Sequence, residues 1–439
     1  MNINTPHLIL GLMLAMTSIT SWADTPNKAD FAISGTQSIQ GKPTLAYDPG
    51  HDTYLVTWSD HRDRLRDVDI YGRLLNGQGK PIGEEFPISI HKGGQGMSAV
   101  SFDEINNRFL VVWVDWRNAN DVDSDIYGQL VNADGSLYGN NFIIAERRTS
   151  QKQPTVAFDP TRQRFLVVWK DFRDGKIEKI YGRYLNSKGK IIGDEFRIAK
   201  GEGKQDRPSL FYDPKRKRFL AVWRDIVDEN QYLSSMIAGS SIFAAFIDPE
   251  HPLKQGDQLQ DALLIAAVED ACLPPSLYST AYSPEKDLFM IVWTSGRDYQ
   301  KLGLDVYGAL IRGSDGKRIS EELPIATQYR YQEFPAVVYD AKRQRFLVAW
   351  YDLRRGDASL DMDIFGRYVT TDGEMTNEFL ISDSDARNNR RFPAMAVSPK
   401  HDKALVIWED RREKTPQAHR SRIFGRVQTL GDVTRTISN

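Results

Sequence analysis

The stretch WKDFRDGKIEKIYGRYLNSKG, Trp169 to Gly189, decides the fold, because near copies of it follow Trp58, Trp113, Trp350 and Trp408. Looser copies follow Trp223 and Trp293, and the seven tryptophans lie 55, 56, 54, 70, 57 and 58 residues apart. Around Trp169 the unit reads as four short strands. PTVAFDP (154–160) alternates and ends in an Asp-Pro turn, and RFLVVWKD (164–171) is a β-branched and aromatic run. KIYGRYLN (179–186) follows a polar loop, and DEFRIAK (194–200) closes the unit after Ser-Lys-Gly.

Four strands repeated at a period of about 50 residues are the mark of a β-propeller blade. A solenoid would have shorter repeats and capped ends, whereas this chain carries a sign of ring closure. ADFAIS (29–34) matches the fourth-strand segments EFPIS (85–89), EFRIA (195–199) and EFLIS (378–382), and the last unit has no good fourth strand after FGRVQTLG. The expected fold is therefore all-β, a seven-bladed β-propeller of four-stranded blades, closed by the N-terminal strand joining the last blade. Residues 24–439 read as that single propeller, with a long insertion in blade 4 at residues 227–280.

Two recurring features read as structural. Asp and Arg follow Trp as Asp60/Arg62, Asp115/Arg117, Asp171/Arg173, Asp352/Arg354 and Asp410/Arg412, an ion pair at each blade end. Units four and five depart, with Asp225/Val227 and Ser295/Arg297. An aromatic residue and Gly, as in Tyr71-Gly72 or Phe424-Gly425, mark close packing. Gln40, Gln151, Gln205 and Gln332 stand three residues before a Pro, either to cap the strand or to offer an amide to a ligand.

The unit resembles the TolB-like propeller repeat, also called WD-repeat-like. Ser283-Pro284 and Ser398-Pro399 match its first element, and Asp69-Ile70-Tyr71 and Asp125-Ile126-Tyr127 its last. The resemblance spans residues 30–430 and implies the fold, but no single activity. The glycine-rich signatures of other propeller families and a Gly-x-Ser-x-Gly elbow are absent from the sequence.

Composition narrows the function. Net charge is −2, which disfavours nucleic acid and anionic lipid as partners. Residues 1–23 read as a signal peptide, with an apolar run from Leu8 to Ile19 and Ser21 and Ala23 before the cleavage point. No later run is long and apolar enough to span a bilayer, so no membrane insertion is expected after cleavage. The single cysteine, Cys272, leaves no internal disulfide. A bacterial protein that is periplasmic or secreted, and a monomer, is the expectation.

The leading reading is a non-catalytic propeller that binds a protein, peptide or glycan partner on its loop face. The alternative is a polysaccharide-processing enzyme, a lyase or glycosidase, with its site at the central channel. Trp116, Phe172, Tyr329, Arg330, Tyr331 and Arg390 are the candidate ligand-binding residues, a mixture suited to stacking on sugar rings and gripping acidic groups. Glu269 and Asp270 are adjacent carboxylates confined to the blade 4 insertion. No cofactor is expected except calcium, for which Asp121, Asp123 and Asp125 at alternate positions offer oxygen ligands.

Overall fold

The computed structural model describes residues 30–431, except 36–37, 63–66, 119–122, 174, 176, 200–202, 227–239, 250–261, 269–277, 298, 300–302, 355–361, 384–388 and 412–419. The chain forms seven antiparallel four-stranded sheets. Blade 3 has strands Gln151–Asp159, Arg164–Asp171, Lys179–Asn186 and Ile191–Arg197, in that order from channel to rim. The first strands of neighbouring blades touch all round the ring, including blade 7 to blade 1. The protein is a closed seven-bladed β-propeller.

Tryptophan burial holds the ring. All seven repeat tryptophans are at most 1% exposed. Each packs on the preceding blade: Trp113 with Leu55 and Ile70, Trp169 with Leu110 and Ile126, and Trp223 with Val168 and Ile180. Trp58 packs on Ile407 and Ile423 of blade 7, so the same contact closes the circle. Burying one such ring stabilises by about 4–6 kcal/mol as an upper bound, at roughly 25 cal/mol per Å² over about 150–250 Å².

A polar ladder locks the tryptophan in five blades. Trp169 Nε1 donates to Asp171 Oδ2 at 2.8 Å, and Arg173 donates to the same carboxylate at 2.6 and 2.9 Å. The guanidinium lies 3.8 Å from the ring centre of Tyr181 and reaches Glu195 on the fourth strand at 2.8 Å. The Trp–Asp bond recurs at Trp58, Trp113, Trp350 and Trp408. The glycine after the aromatic residue is required by an isoleucine in or just after the fourth strand. A Cβ on Gly72, Gly128 or Gly182 would come within 2.9 Å of Ile88, Ile144 or Ile198.

The N-terminal segment takes the expected place. Phe31–Ala32 pairs antiparallel with Arg422–Thr429, the third strand of blade 7. Ile33 lies over Gly425 as the other isoleucines lie over their glycines. Asp30 adds an ion pair to Arg426 at 2.9 Å.

The first strands begin earlier than their alternation predicts. In blade 3 the strand starts at Gln151, not Pro154, and Gln151 pairs with Asp171. The register slips between Lys152 and Thr155, where Gln153 takes a positive φ and Pro154 has no N–H to give. Five other blades slip at the equivalent place: Gly41/Thr44, Gly96/Ala99, Asp206/Ser209, Glu333/Ala336 and Arg391/Ala394. The expected blade 4 excursion holds a regular fourth strand, Leu263–Val268. No helix among the described residues is long and apolar enough to cross a membrane.

Candidate functional site

The bulges build the site. In six blades one non-glycine residue of the bulge has positive φ: Lys42 (51°), Met97 (56°), Gln153 (55°), Arg207 (54°), Phe334 (53°) and Phe392 (54°). A side chain in this region of backbone costs on the order of 1–3 kcal/mol, and such strain gathers where geometry serves function. All six line one cavity of about 580 Å³ in the central channel, within the range of small-ligand pockets. Five prolines, Pro43, Pro154, Pro208, Pro335 and Pro393, stiffen its wall. The backbone thus repeats while the side chains it projects change from blade to blade.

A second variable set comes from the residue that follows each Trp: Ser59, Val114, Lys170, Arg224, Thr294, Tyr351 and Glu409. Together the two sets make two unlike arcs. In blades 6 and 7, Tyr351 donates to Glu333 Oε2 at 2.6 Å, and Phe334 stacks on Tyr351 with ring centres 5.5 Å apart. Phe392 meets Phe334 edge-on at 4.6 Å. Glu409 accepts from Arg411 at 3.0 and 3.1 Å, and Arg391 pairs with it across the two strands. The Glu409 carboxylate also lies over Gly41 of blade 1, where a Cβ would come within 2.5 Å of it.

Burial pushes the Glu333 carboxyl above the usual carboxylate range, against the pull of the Tyr351 hydroxyl, Arg391 and Arg207. Burial raises Glu409 likewise, opposed chiefly by Arg411 and Arg391. Lys42 shares the channel with Glu409, and loss of water lowers its pKa. Arg391 therefore acts on two carboxyl groups in one arc, the half-buried Glu333 and the buried Glu409.

The other arc, in blades 3 and 4, is cationic. Lys152 and Lys170 stand 5.7 and 4.9 Å from the ring centre of Phe172. Arg224 grips Asp206 through two bonds, at 2.7 and 2.5 Å, and Arg207 lies 3.9 Å from the same carboxylate. Lys170 and Lys204 lie 4.0 and 3.7 Å from Glu178.

The residues expected from sequence to bind ligand have different fates. Phe172 supports the cationic arc, and Trp116 is partly buried against Gly96 and the apolar core. Tyr331 bonds Tyr299 hydroxyl to hydroxyl at 3.0 Å, and Tyr329 is 70% exposed. Arg330 has φ 85°, and its carbonyl lies tight against Gly303. Arg390 is fully buried and bonded to Asp410 at 3.3 Å and to Asp363. It occupies the position that Gln40, Gln95, Gln151, Gln205 and Gln332 hold in other blades, opposite the Asp after Trp. None of the six lines the central cavity.

The recurring glutamines are at most 1% exposed, and Gln40 donates to Asp60 at 2.8 Å, which favours the strand-fixing reading. Sequence reasoning passed over Lys42, Arg207, Glu333, Phe334, Tyr351, Phe392 and Glu409. The signal was present, since these are the positions that vary inside otherwise repeating motifs.

Of the calcium candidates, Asp121 lies outside the described residues, as do Glu269, Asp270 and Cys272. Asp125 is 5% exposed, and burial raises its pKa to about 6. Among the described residues no three His, Cys, Asp or Glu side chains gather as a metal site.

No known protein family matches the chain, and no curated protein is significantly similar to it. Solved structures do share its fold. A protein of unknown function from Dyadobacter fermentans is 13% identical with a TM-score of 0.50, over 77% of this chain and 97% of that one. An α-L-arabinanase from Penicillium chrysogenum, solved with arabinobiose, is 13% identical with a TM-score of 0.46, over 92% and 100%. A Hadza microbial sialidase is 9% identical with a TM-score of 0.45, over 86% and 76%. At these identities the likeness is one of fold.

Proposed function

We propose that the protein is an exported, TolB-like propeller that processes a saccharide at the mouth of its central channel. The carrying observation is the set of six strained bulges, which place Lys42, Met97, Gln153, Arg207, Phe334 and Phe392 in the wall of one cavity, with the half-buried Glu333 next to Phe334 in the chain and Glu409 over Gly41, next to Lys42. Phe334 and Phe392 offer stacking faces for a sugar ring. Glu333, with its pKa raised, is the proton donor to the leaving glycosidic oxygen as the C–O bond breaks. Glu409, held by Arg411, is the group that takes a proton from the attacking water, whose oxygen becomes the new anomeric hydroxyl.

Turnover on a panel of plant and bacterial oligosaccharides tests the reading. Glu333→Gln should lower kcat by about 100-fold or more with little change in binding, as expected for loss of a general acid. Full activity in Glu333→Gln would dismiss the assignment. A second reading, non-catalytic binding of a protein, peptide or glycan over the loop face, rests on Tyr329, 70% exposed beside the Tyr299–Tyr331 pair. It predicts binding without product, weakened by Tyr329→Ala and indifferent to Glu333→Gln.

A further inference from the structure

We propose that the crevice between blades 1 and 2, apart from the central channel, binds a small organic acid, its carboxylate on Arg117 and its apolar body against Ile90 and Leu137. The observation is a pair of changes that blade 2 makes in a repeating network. In blades 1, 3 and 6 the arginine after the third-strand glycine crosses to the preceding blade. Arg73, Arg183 and Arg367 donate there to the carbonyls of Ile33, Ile144 and Ile325 at 2.8, 2.6 and 2.7 Å. In the same blades a fourth-strand glutamate, Glu85, Glu195 or Glu378, pairs with the arginine that follows the tryptophan motif. Blade 2 has Gln129 and Asn141 at these two positions.

The shorter Gln129 stays on its own blade, where Nε2 donates to the carbonyls of Leu130 and Tyr138 at 2.9 and 3.1 Å. Asn141 takes over the carbonyl of Ile88 in blade 1, at 3.2 Å. With no arginine crossing, a cavity of about 420 Å³ opens between Ile88, Gln129 and Asn141, within the range of small-ligand pockets. It shares no lining residue with the channel cavity.

The second change leaves Arg117 one carboxylate short. Its Nε and Nη2 donate to Asp115 at 2.9 and 2.6 Å, and Nη2 also reaches Ser89 and Asn141, each at 3.2 Å. No bond runs from Nη1 to a described residue, whereas in blade 3 the same atom of Arg173 meets Glu195 at 2.8 Å. Asn141 is uncharged and one methylene shorter than glutamate, so a ligand's carboxylate takes the place that Glu195 holds in blade 3, where the guanidinium fork suits it. Of the residues lining the cavity, Arg117 alone is charged at neutral pH: loss of water, then Arg117 itself, lowers the pKa of His91 and keeps its ring neutral. Ile90 and Leu137, 46% and 43% exposed, give the wall an apolar side that a ligand's body would cover.

The test is a calorimetric titration of the full chain with benzoate and with hexanoate, each beside its neutral amide. The acids should bind at least about tenfold more tightly than the amides, and the advantage should shrink as salt rises. Asn141→Glu, which returns the glutamate of the other blades, should abolish binding with the thermal midpoint retained. Leu137→Glu, a change at an exposed side chain, should abolish it independently. Methyl resonances of Ile88, Ile90 and Leu137 should shift on binding, and those of Met97 and Met395 in the channel should not. Equal binding of acid and amide, no binding of either acid, binding that survives both substitutions, or shifts at the channel methionines in place of the crevice would each overturn the inference.

Discussion

Blades 3 and 5 solve the same packing problem with different chemistry. In blade 3, Asp171 joins Trp169 to Arg173, and Arg173 continues to Tyr181 and Glu195. In blade 5, Ser295 stands in place of the aspartate, and Trp293 Nε1 has no hydrogen-bond partner among the described residues. Arg297 there still lies 4.2 Å from the Tyr307 ring centre and pairs with Glu322. Yet Trp293 is as fully buried as Trp169. Tryptophan burial is common to both blades, and the polar ladder is an addition whose members depend on one another.

That dependence gives the largest expected effect. Asp171→Ala should destabilise by about 3 kcal/mol, because it leaves the buried Trp169 N–H without an acceptor and Arg173 with Glu195 as its remaining carboxylate. Ser295→Ala, read by the same denaturant titration, should cost less than about 1 kcal/mol. Equal costs would mean that the ladder contributes nothing beyond packing. Arg390→Met probes the same dependence at the seam. It leaves Asp410, Asp363 and Asp30 facing one another without their shared cation, and about 3 kcal/mol should be lost.

A smaller effect should appear in acid. Asp287, where blade 4 meets blade 5, is held down to about 2, first by its bond from Arg216. Its folded pKa lies below its unfolded value, so its contribution is complete above about pH 4 and is lost as pH falls towards 2. Discounted for solvent screening of a partly exposed pair, the contribution is about 1 kcal/mol. The pH dependence of unfolding in Asp287→Asn should be flatter than wild type over that window, and an unchanged slope would exclude this latch. The smallest change is a gain: Ser295→Asp supplies the carboxylate acceptor that Trp293 lacks among the described residues, worth about 1 kcal/mol. A loss of stability would show that blade 5 has no room for a complete ladder.

The same contrast explains what could be read in the sequence. Trp-x-Asp-x-Arg and the aromatic-Gly pair recur because every blade needs them, so the fold and the closing strand were legible at Trp169 and at ADFAIS. The strand starts were not, since Gln-Lys-Gln-Pro has the composition of a loop and pairs only through a bulge. Arg390 looked like a loop cation because its relation to the glutamines of other blades shows only when the first strands are superposed. The channel residues were visible as variation, at the two positions after each Gln and the one after each Trp. Attention to exposed aromatics drew the reading away from them.

The seam also bears on how the molecule is made. The bond between Ser34 and Ile423 joins groups 389 residues apart, so blade 7 stays one strand short until the entire polypeptide exists. Loop closure over such a span is slow, and an open edge invites pairing with a second molecule. A circular permutant that begins at Leu288, with a short linker between the present termini, would make blade 7 from adjacent segments and move the late closure to blade 5.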